Sequence, residues 1–554
     1  MEGNGMKKNA KKLVGVTLAG VLSTSVALGI VTTASGDAKS ENLQPAHEAA
    51  AKNVILLVGD GMGQNQVSAA AYYKGSGYGA EDLIMDQFTN VGYARTFSHD
   101  NTVTDSAAAA TAFSSTHKTD NGVLGKAPKN EEHHENEEHF NVDTVLESAE
   151  ESGMSTGLVS TARITHATPA AFASHIGNRD EENNIAEQML LNHDIEVLLG
   201  GGKRHFLPKD KGGKREDGKN LLNAAKEKGY KLIENKKELE NADADKLLGL
   251  FNESHMSYEL DRDLTGEPSL QSMTGKALNV LKDDKDGFFL MVEGGRIDHA
   301  GHANWPATNI QETLAFDKAV QEALEFAKKD KNTIVIVTAD HETGGMSIGA
   351  DGVYGFNKDV VQNVKRTPEY ISSQFNKEQS NIAEIMAEYT GIKDLKKEEE
   401  QLIKTDEDAA GAIAKIISER ALIGWTTTGH TGVNVPVYAY GPLSERLTGT
   451  IDNTKIAELI SKTTSKSLTS LDLKEQVQQF EENGEITNHD AAQSLLIHLT
   501  TVGKFEQKGA AEKVIKHLTN FNLLLDQQKQ KDLISTNAYD ALTKGTESLL
   551  AKWQ

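Results

Sequence analysis

Three apolar runs that read as strands each end on a residue able to bind a cation: NVILLVG on Asp60, GFFLMV on Glu293, and TIVIVTA on Asp340 and His341. One Asp after a strand is usually a turn or helix-cap residue. Three acidic ends, two of them followed by glycine, point instead to one shared site. The segment IDHAGH adds Asp298, His299 and His302, and TTTGHT adds His430. Asp298 and His302 stand four apart, so on a helical turn both reach one ion. The chain contains no cysteine, which excludes disulfides, thiolate zinc fingers, iron–sulfur clusters and thiol catalysis. Neutral imidazole with carboxylate suits a catalytic zinc that keeps an open position.

A nucleophile candidate lies in TVTDSAAAATA. Ser106 precedes an Ala-rich run of high helix propensity, which places it at a helix N-terminus, where exposed N–H groups and the macrodipole favour anions. Read alone, Asp105 and Ser106 are ordinary N-cap residues. Beside a metal, a serine can be deprotonated and accept a phosphoryl group. That chemistry also needs a planar cation for the non-bridging oxygens, and Arg179 in HIGNRD is the candidate.

The elements that must position these residues alternate short β-branched runs with longer helical stretches. Strands are expected at Asn53–Gly59, Gly157–Ser160, Ile195–Gly200, Gly287–Val292, Thr333–Thr338 and Val435–Tyr440, several of them apolar throughout, as in strands covered on both faces. The implied fold class is α/β, a three-layer α/β/α sandwich around a mostly parallel central sheet. In such sheets functional groups collect at the carboxyl ends of the strands. Residues 357–420 read as a charged helical insertion, and residues 470–554, which lack proline, read as a separate bundle of three or four amphipathic helices. The catalytic unit is expected over residues 52–461, joined to the bundle by the polar segment 461–470.

The formal charge is −23, from 58 Lys and Arg against 81 Asp and Glu, so the surface repels phosphate backbones and argues against nucleic-acid binding. Residues 1–34 run the other way: Lys7, Lys8, Lys11 and Lys12 precede a long uncharged apolar stretch that ends in small residues. This is the pattern of a secretory signal peptide, followed by an N-terminal segment at 35–51, and it makes the protein secreted. An uncleaved membrane anchor is the alternative, because the run is long enough to span a bilayer. Cleavage would remove four lysines and one glutamate, taking −23 to −26.

In combination, VGDGMG, VTDSAAAATA, HATPAA, VEGGRIDHAGH, TADHETGG and TTTGHT, in this order, resemble the alkaline phosphatase family over roughly Lys52 to Ser461. The resemblance implies a phosphomonoesterase that works through a phosphoserine at Ser106, with Arg179 as phosphate clamp and Asp105 positioning it. It implies Asp298, His302 and His430 as ligands of one zinc, and Asp60, Asp340 and His341 as ligands of a second that holds Ser106. It implies a magnesium site formed by Asp60, Thr168 and Glu293. His166 and His299 depart from the enteric bacterial pattern, which has Asp near the third metal and Lys near phosphate. Phe251, Asn252 and Glu267 match a calcium-binding stretch of animal members, with Asn252 in place of a carboxylate. The acidic run Asn130–His139 could catch metals but reads better as a solvated loop.

Two further expectations follow. Family members are often homodimers. The C-terminal helices resemble small modules appended to exported proteins of Gram-positive bacteria, which suggests cell-surface or partner binding. Phosphodiesterase, sulfatase and phosphomutase chemistry remain as alternatives within the wider superfamily.

Overall fold

The structure is a computed structural model and describes residues 51–129, 139–464 and 469–553. The expected signal segment 1–34, residues 35–50, most of the acidic run at 130–138 and residues 465–468 of the polar linker lie outside the described residues.

The central sheet has ten strands: β1 Asn53–Val58, β2 Asn90–Arg95, β3 Ser155–Arg163, β4 Val197–Gly201, β5 Lys231–Ile233, β6 Leu247–Leu250, β7 Phe288–Glu293, β8 Thr333–Thr338, β9 Val435–Tyr440 and β10 Gly449–Asp452. Their order across the sheet is β10-β2-β9-β8-β1-β7-β3-β4-β6-β5. Neighbouring strands run parallel except where β9 meets β8 and β2. Every residue of β1, β7 and β8 is buried, which explains their unbroken apolar sequence. Each fully buried Ile, Leu or Val there contributes about 1.5–3 kcal/mol of transfer free energy.

Register places the chemistry. Val58 pairs with Glu293 on one side and Thr338 on the other, so the ends of β1, β7 and β8 are level and the residues that follow them emerge together. The helices that complete the site are α1 Ser106–Ser115, α2 Ala167–Ala173, α3 Arg296–His302 and α4 Pro306–Asp330.

Four strands of the central sheet fall outside the expected set: β2, β5, β6 and β10. β2 has exposed Val91 and Tyr93 and a central glycine, β5 and β6 are only three and four residues long, and β10 is an edge strand with two exposed residues. None carries the long apolar run that marks a doubly covered strand.

The insertion consists of short helices, among them Ile382–Thr390, Lys397–Thr405 and Ala409–Ala421, packed around Met386, Ile403, Ile413 and Ile417. The C-terminal helices number four: Ser470–Glu482, His489–Glu506, Ala511–Gln530 and Thr536–Trp553. They have their own apolar core, in which Leu473, Val477, Val514, Leu518, Phe521 and Leu525 are fully buried at the spacing of one helix face. Thr469 and Asp472 form a capping box at the start of this bundle. The three-layer sandwich, the insertion and the helical tail are thus all present.

Candidate active site

The first cluster is built on α3. Its four-residue spacing stacks Asp298 under His302, with Oδ1 and Nε2 3.3 Å apart. His430 arrives from the two-residue strand His430–Thr431, which pairs with Glu342–Thr343, and its Nε2 is 3.1 Å from His302 Nε2 and 3.7 Å from Asp298 Oδ1. Unlike the carboxylates that follow strands, His430 precedes one, β9. Because β9 is antiparallel to its neighbours, its beginning lies at the edge where the parallel strands end.

Both imidazoles are oriented from behind. His302 Nδ1 donates to Thr428 O at 2.6 Å and His430 Nδ1 to Thr104 O at 2.8 Å. A carbonyl only accepts, so Nδ1 carries the proton and Nε2 is the atom left for a ligand role. The Asp298 carboxylate, accepting from the imidazole, pushes His302 up to about 9. Burial, with His341 alongside, holds His430 down to about 4. Burial acts against the Asp298 charge, but His302 and the neighbouring imidazoles hold its carboxyl well below the usual range.

The second cluster is fully buried. His341 Nε2 lies 3.1 Å from Asp340 Oδ2, 3.6 Å from Asp60 Oδ1 and 3.1 Å from Ser106 Oγ. Asp340 Oδ1 accepts from the backbone N–H of Gly61 at 3.0 Å and of His341 at 2.9 Å, which turns Oδ2 inward. The third cluster joins Asp60, His166 and Glu293, whose ligand atoms lie within 4.8 Å of one another. Thr168, at the start of α2, is buried beside His166 in sequence. Glu293 Oε2 accepts from the Ser160 hydroxyl.

Both oxygens of Asp60, Asp340 Oδ2, Glu293 Oε1, Thr168 Oγ1 and His166 Nδ1 are buried without a hydrogen-bond partner. Burial, together with the charges of Asp340, Asp298 and Glu293, pushes Asp60 well above the usual carboxylate range, and burial takes Glu293 up to about 7. Unpaired buried carboxylates cost several kcal/mol each, and inward-facing oxygens with imidazole nitrogens fit divalent cations.

Ser106 is the first residue of α1 and only 2% exposed. Asp105 caps the helix, accepting from Ala108 N at 2.9 Å, and its Oδ2 accepts from Gly122 N at 3.0 Å and Arg179 Nη1 at 2.9 Å. The carboxylate that starts the helix therefore also aims the guanidinium. Arg179 Nη2 lies 3.3 Å from His166 Nε2. His299 donates from Nδ1 to Gly295 O at 2.8 Å, and its ring centroid is 5.6 Å from that of His166. Burial, with Arg179 adjacent, holds His166 well below the ordinary imidazole value; burial, with Arg296 adjacent, holds His299 down to about 4. The pocket wall thus sets imidazoles that favour the neutral form beside the Arg179 guanidinium.

Asn252 and Glu267 also come together, with Phe251 next to Asn252 in the chain, but hydrogen bonds occupy Asn252 and Glu267. Glu267 accepts from Asn252 Nδ2 at 2.7 Å and from Ser257 N at 2.7 Å, while Asn252 O accepts from Gly202 N and Lys203 N. A calcium ion would have to displace these donors.

Thr343 and His255 are site residues that sequence reasoning missed. Thr343 sits two places after His341, inside the quoted TADHETGG, but a threonine gives no ligand signal. His255 lies in the loop after β6, its ring centroid 4.2 Å from His299 and 5.4 Å from His166.

Comparison with known proteins gives the family. The alkaline phosphatase family model matches residues 51–465, and a FIMAH domain model matches residues 449–551, so the two overlap across the helix Thr454–Thr464. Alkaline phosphatase 3 of Bacillus subtilis is 41% identical over 480 residues, covering 82% of this chain and 98% of the relative. The cold-active alkaline phosphatase of a Shewanella species superposes with a TM-score of 0.66 at 33% identity, covering 75% of this chain and 100% of that one. A histidine-to-glutamate mutant of the alkaline phosphatase from the Antarctic bacterium TAB5, described with Mg in its M3 site, gives a TM-score of 0.55 at 32% identity, covering 75% and 98%. With a buried serine at a helix N-terminus, a carboxylate-aimed arginine, three cation-type clusters and relatives that match nearly end to end, the chain belongs to the alkaline phosphatase family.

Proposed function

We propose that the chain hydrolyses phosphate monoesters through a covalent phosphoserine at Ser106, at a centre suited to two zinc ions and one magnesium ion. The contact of Ser106 Oγ with His341 Nε2 at 3.1 Å, at the mouth of a ten-residue helix, carries this reading. Asp298, His302 and His430 would hold one zinc; Asp60, Asp340 and His341 the other; Asp60, Glu293 and Thr168, with His166 in ligand range, the magnesium. Cations held there supply Lewis-acid stabilisation of the entering and leaving oxygens.

The chain's own residues do the rest. Ser106 gives up its hydroxyl proton as Oγ forms the bond to phosphorus and the ester P–O bond breaks, and the leaving oxygen takes up one proton to become the alcohol. Water then displaces Ser106 from the phosphoserine, releasing inorganic phosphate; two in-line displacements retain configuration at phosphorus. Arg179, held by Asp105, pairs two donors with non-bridging oxygens of the dianion. The first turn of α1 directs its N–H groups toward the same anion.

Ser106→Ala together with metal analysis tests this. Two equivalents of zinc with lost ester turnover are expected; unchanged turnover would overturn the mechanism. Rates on an aryl phosphate monoester, the matching diester and the sulfate separate the alternatives. If zinc alone restores full activity to metal-free protein, the magnesium site is refuted.

Secretion is part of this reading, supported by the basic-then-apolar N-terminus. Among the described residues no helix is long and apolar enough to cross a membrane. A homodimer is supported by fully exposed Tyr78 and Tyr354 bordering a cavity of about 740 Å³; light scattering tests it. The four C-terminal helices are read as a surface-binding module, tested by retention on cell-wall material of the full chain against one ending at Thr464. A cut at 461 would clip the helix Thr454–Thr464, in which Thr464 is buried.

A further inference from the structure

His255 belongs to no cation cluster, yet it closes a triangle of imidazoles with His166 and His299. The His255 and His299 ring centroids are 4.2 Å apart with planes at 60°, and those of His255 and His166 are 5.4 Å apart at 76°. Both contacts are edge-to-face, the arrangement in which a ring edge meets a neighbour's π face. Among the described residues, the His299 ring makes one hydrogen bond, from Nδ1 to Gly295 O. One hydrogen bond leaves the ring free to tilt about it, and the edge of His255 restricts that tilt.

His255 is itself held from outside the site. Arg163 N lies 3.3 Å from its Nδ1, and the Arg163 guanidinium lies against its Nε2. Arg163 Nε in turn donates to both oxygens of Glu182, at 3.0 and 2.7 Å. Glu182 is buried and also accepts from Thr165 Oγ1 at 2.6 Å. A chain of polar contacts thus runs from a buried carboxylate through the Arg163 guanidinium, which places donors at the His255 ring, to the imidazole wall that faces Arg179.

We propose that His255 is a positioning residue of the phosphate pocket: braced by Arg163 and Glu182, it fixes the His299 and His166 rings, and thereby the grip on the phosphate dianion. This rests on the phosphate-ester reading of the site. Binding energy that holds the phosphoryl group equally in ground and transition states appears in KM rather than kcat. Loosening the wall therefore weakens substrate and product binding together.

The test uses the full-length, metal-loaded protein and the variants His255→Ala and His255→Phe. Phenylalanine keeps the ring edge but loses the tie to Arg163, and serves as the readout if the alanine variant does not fold. KM for an aryl phosphate, the inhibition constant of inorganic phosphate, and phosphate affinity by calorimetry are measured with zinc content and the thermal midpoint. Expected for alanine is a rise of about three- to tenfold in KM and both phosphate constants, kcat within about twofold, unchanged zinc, and a smaller rise for phenylalanine. Wild-type constants in a folded alanine variant, a loss confined to kcat, or a rise that tracks zinc loss would each overturn the proposal. Failure of the wild type to turn over the ester or bind phosphate would instead sink the underlying reading.

Discussion

Thr343 Oγ1 donates a 2.5 Å hydrogen bond to Asp298 Oδ1 and accepts one from His341 Nδ1 at 3.2 Å. One fully buried hydroxyl therefore ties a ligand of the first cluster to a ligand of the second. Because His341 Nδ1–H is spent on Thr343, its Nε2 is the lone-pair nitrogen turned toward Ser106.

Replacing Thr343 with Val keeps the shape and removes both bonds. Loss of such an outer partner costs about 10–100-fold in metal affinity or activity. Thr343→Val is expected to lower kcat/KM at least tenfold and to lose zinc faster on dialysis against a chelator, followed by metal analysis.

Gly61 has φ +72°, and a Cβ there would stand 2.8 Å from the Asp298 Cα and 2.7 Å from Thr343 Oγ1. Gly61→Ala adds a left-handed backbone penalty of about 1–2 kcal/mol to overpacking of about 1–3 kcal/mol. The thermal midpoint should fall, and activity should fall further than stability, since the displaced backbone carries Asp298.

Chelation should destabilise the protein as well as silence it. Both oxygens of Asp60, Asp340 Oδ2 and Glu293 Oε1 are buried without a hydrogen-bond partner, so a cation that binds only the folded state adds about 2.7 kcal/mol at a hundred times its dissociation constant. Calorimetry is expected to show a lower midpoint in chelator, recovered on adding zinc and magnesium. An unchanged midpoint would speak against resident cations.

At the opposite edge of the sheet, Glu196 precedes β4, and burial pushes its carboxyl up to about 7, although Thr156 N donates to it at 2.7 Å. A folded-state value above the unfolded one means that folding favours the protonated form. Its relative contribution is therefore fully present below about 4.5, the unfolded value, and is lost as pH rises toward 7. Glu196→Gln removes this dependence. The midpoint of the variant minus that of the wild type should increase between pH 4.5 and 7 and then level off. A difference independent of pH would refute the shift.

Much of the site is legible in the amino-acid sequence. Asp60, Glu293, Asp340 and His341 follow strands whose unbroken apolar sequence is itself the signal of burial on both faces. Asp298 and His302 carry the helical spacing in their numbers, and Ser106 is marked by the alanine run that makes its helix. The amphipathic spacing of Leu473, Val477, Val514, Leu518, Phe521 and Leu525 likewise marks the C-terminal bundle. These are local properties, set by backbone geometry within a few residues, and a linear chain displays them directly.

Only the tertiary structure decided which of these elements meet and how. The level ends of β1, β7 and β8 depend on strand register, and the placement of His430 depends on the reversed direction of β9; neither is written in any one segment. The short or edge strands β2, β5, β6 and β10 are strands because a neighbour supplies their hydrogen bonds. Thr343 and His255 acquire their roles from partners 45 and 44 positions away, Asp298 and His299 respectively, through contacts that no residue type or spacing encodes. Sequence determined the chemistry available, and packing determined which side chains share the few ångströms in which that chemistry can occur.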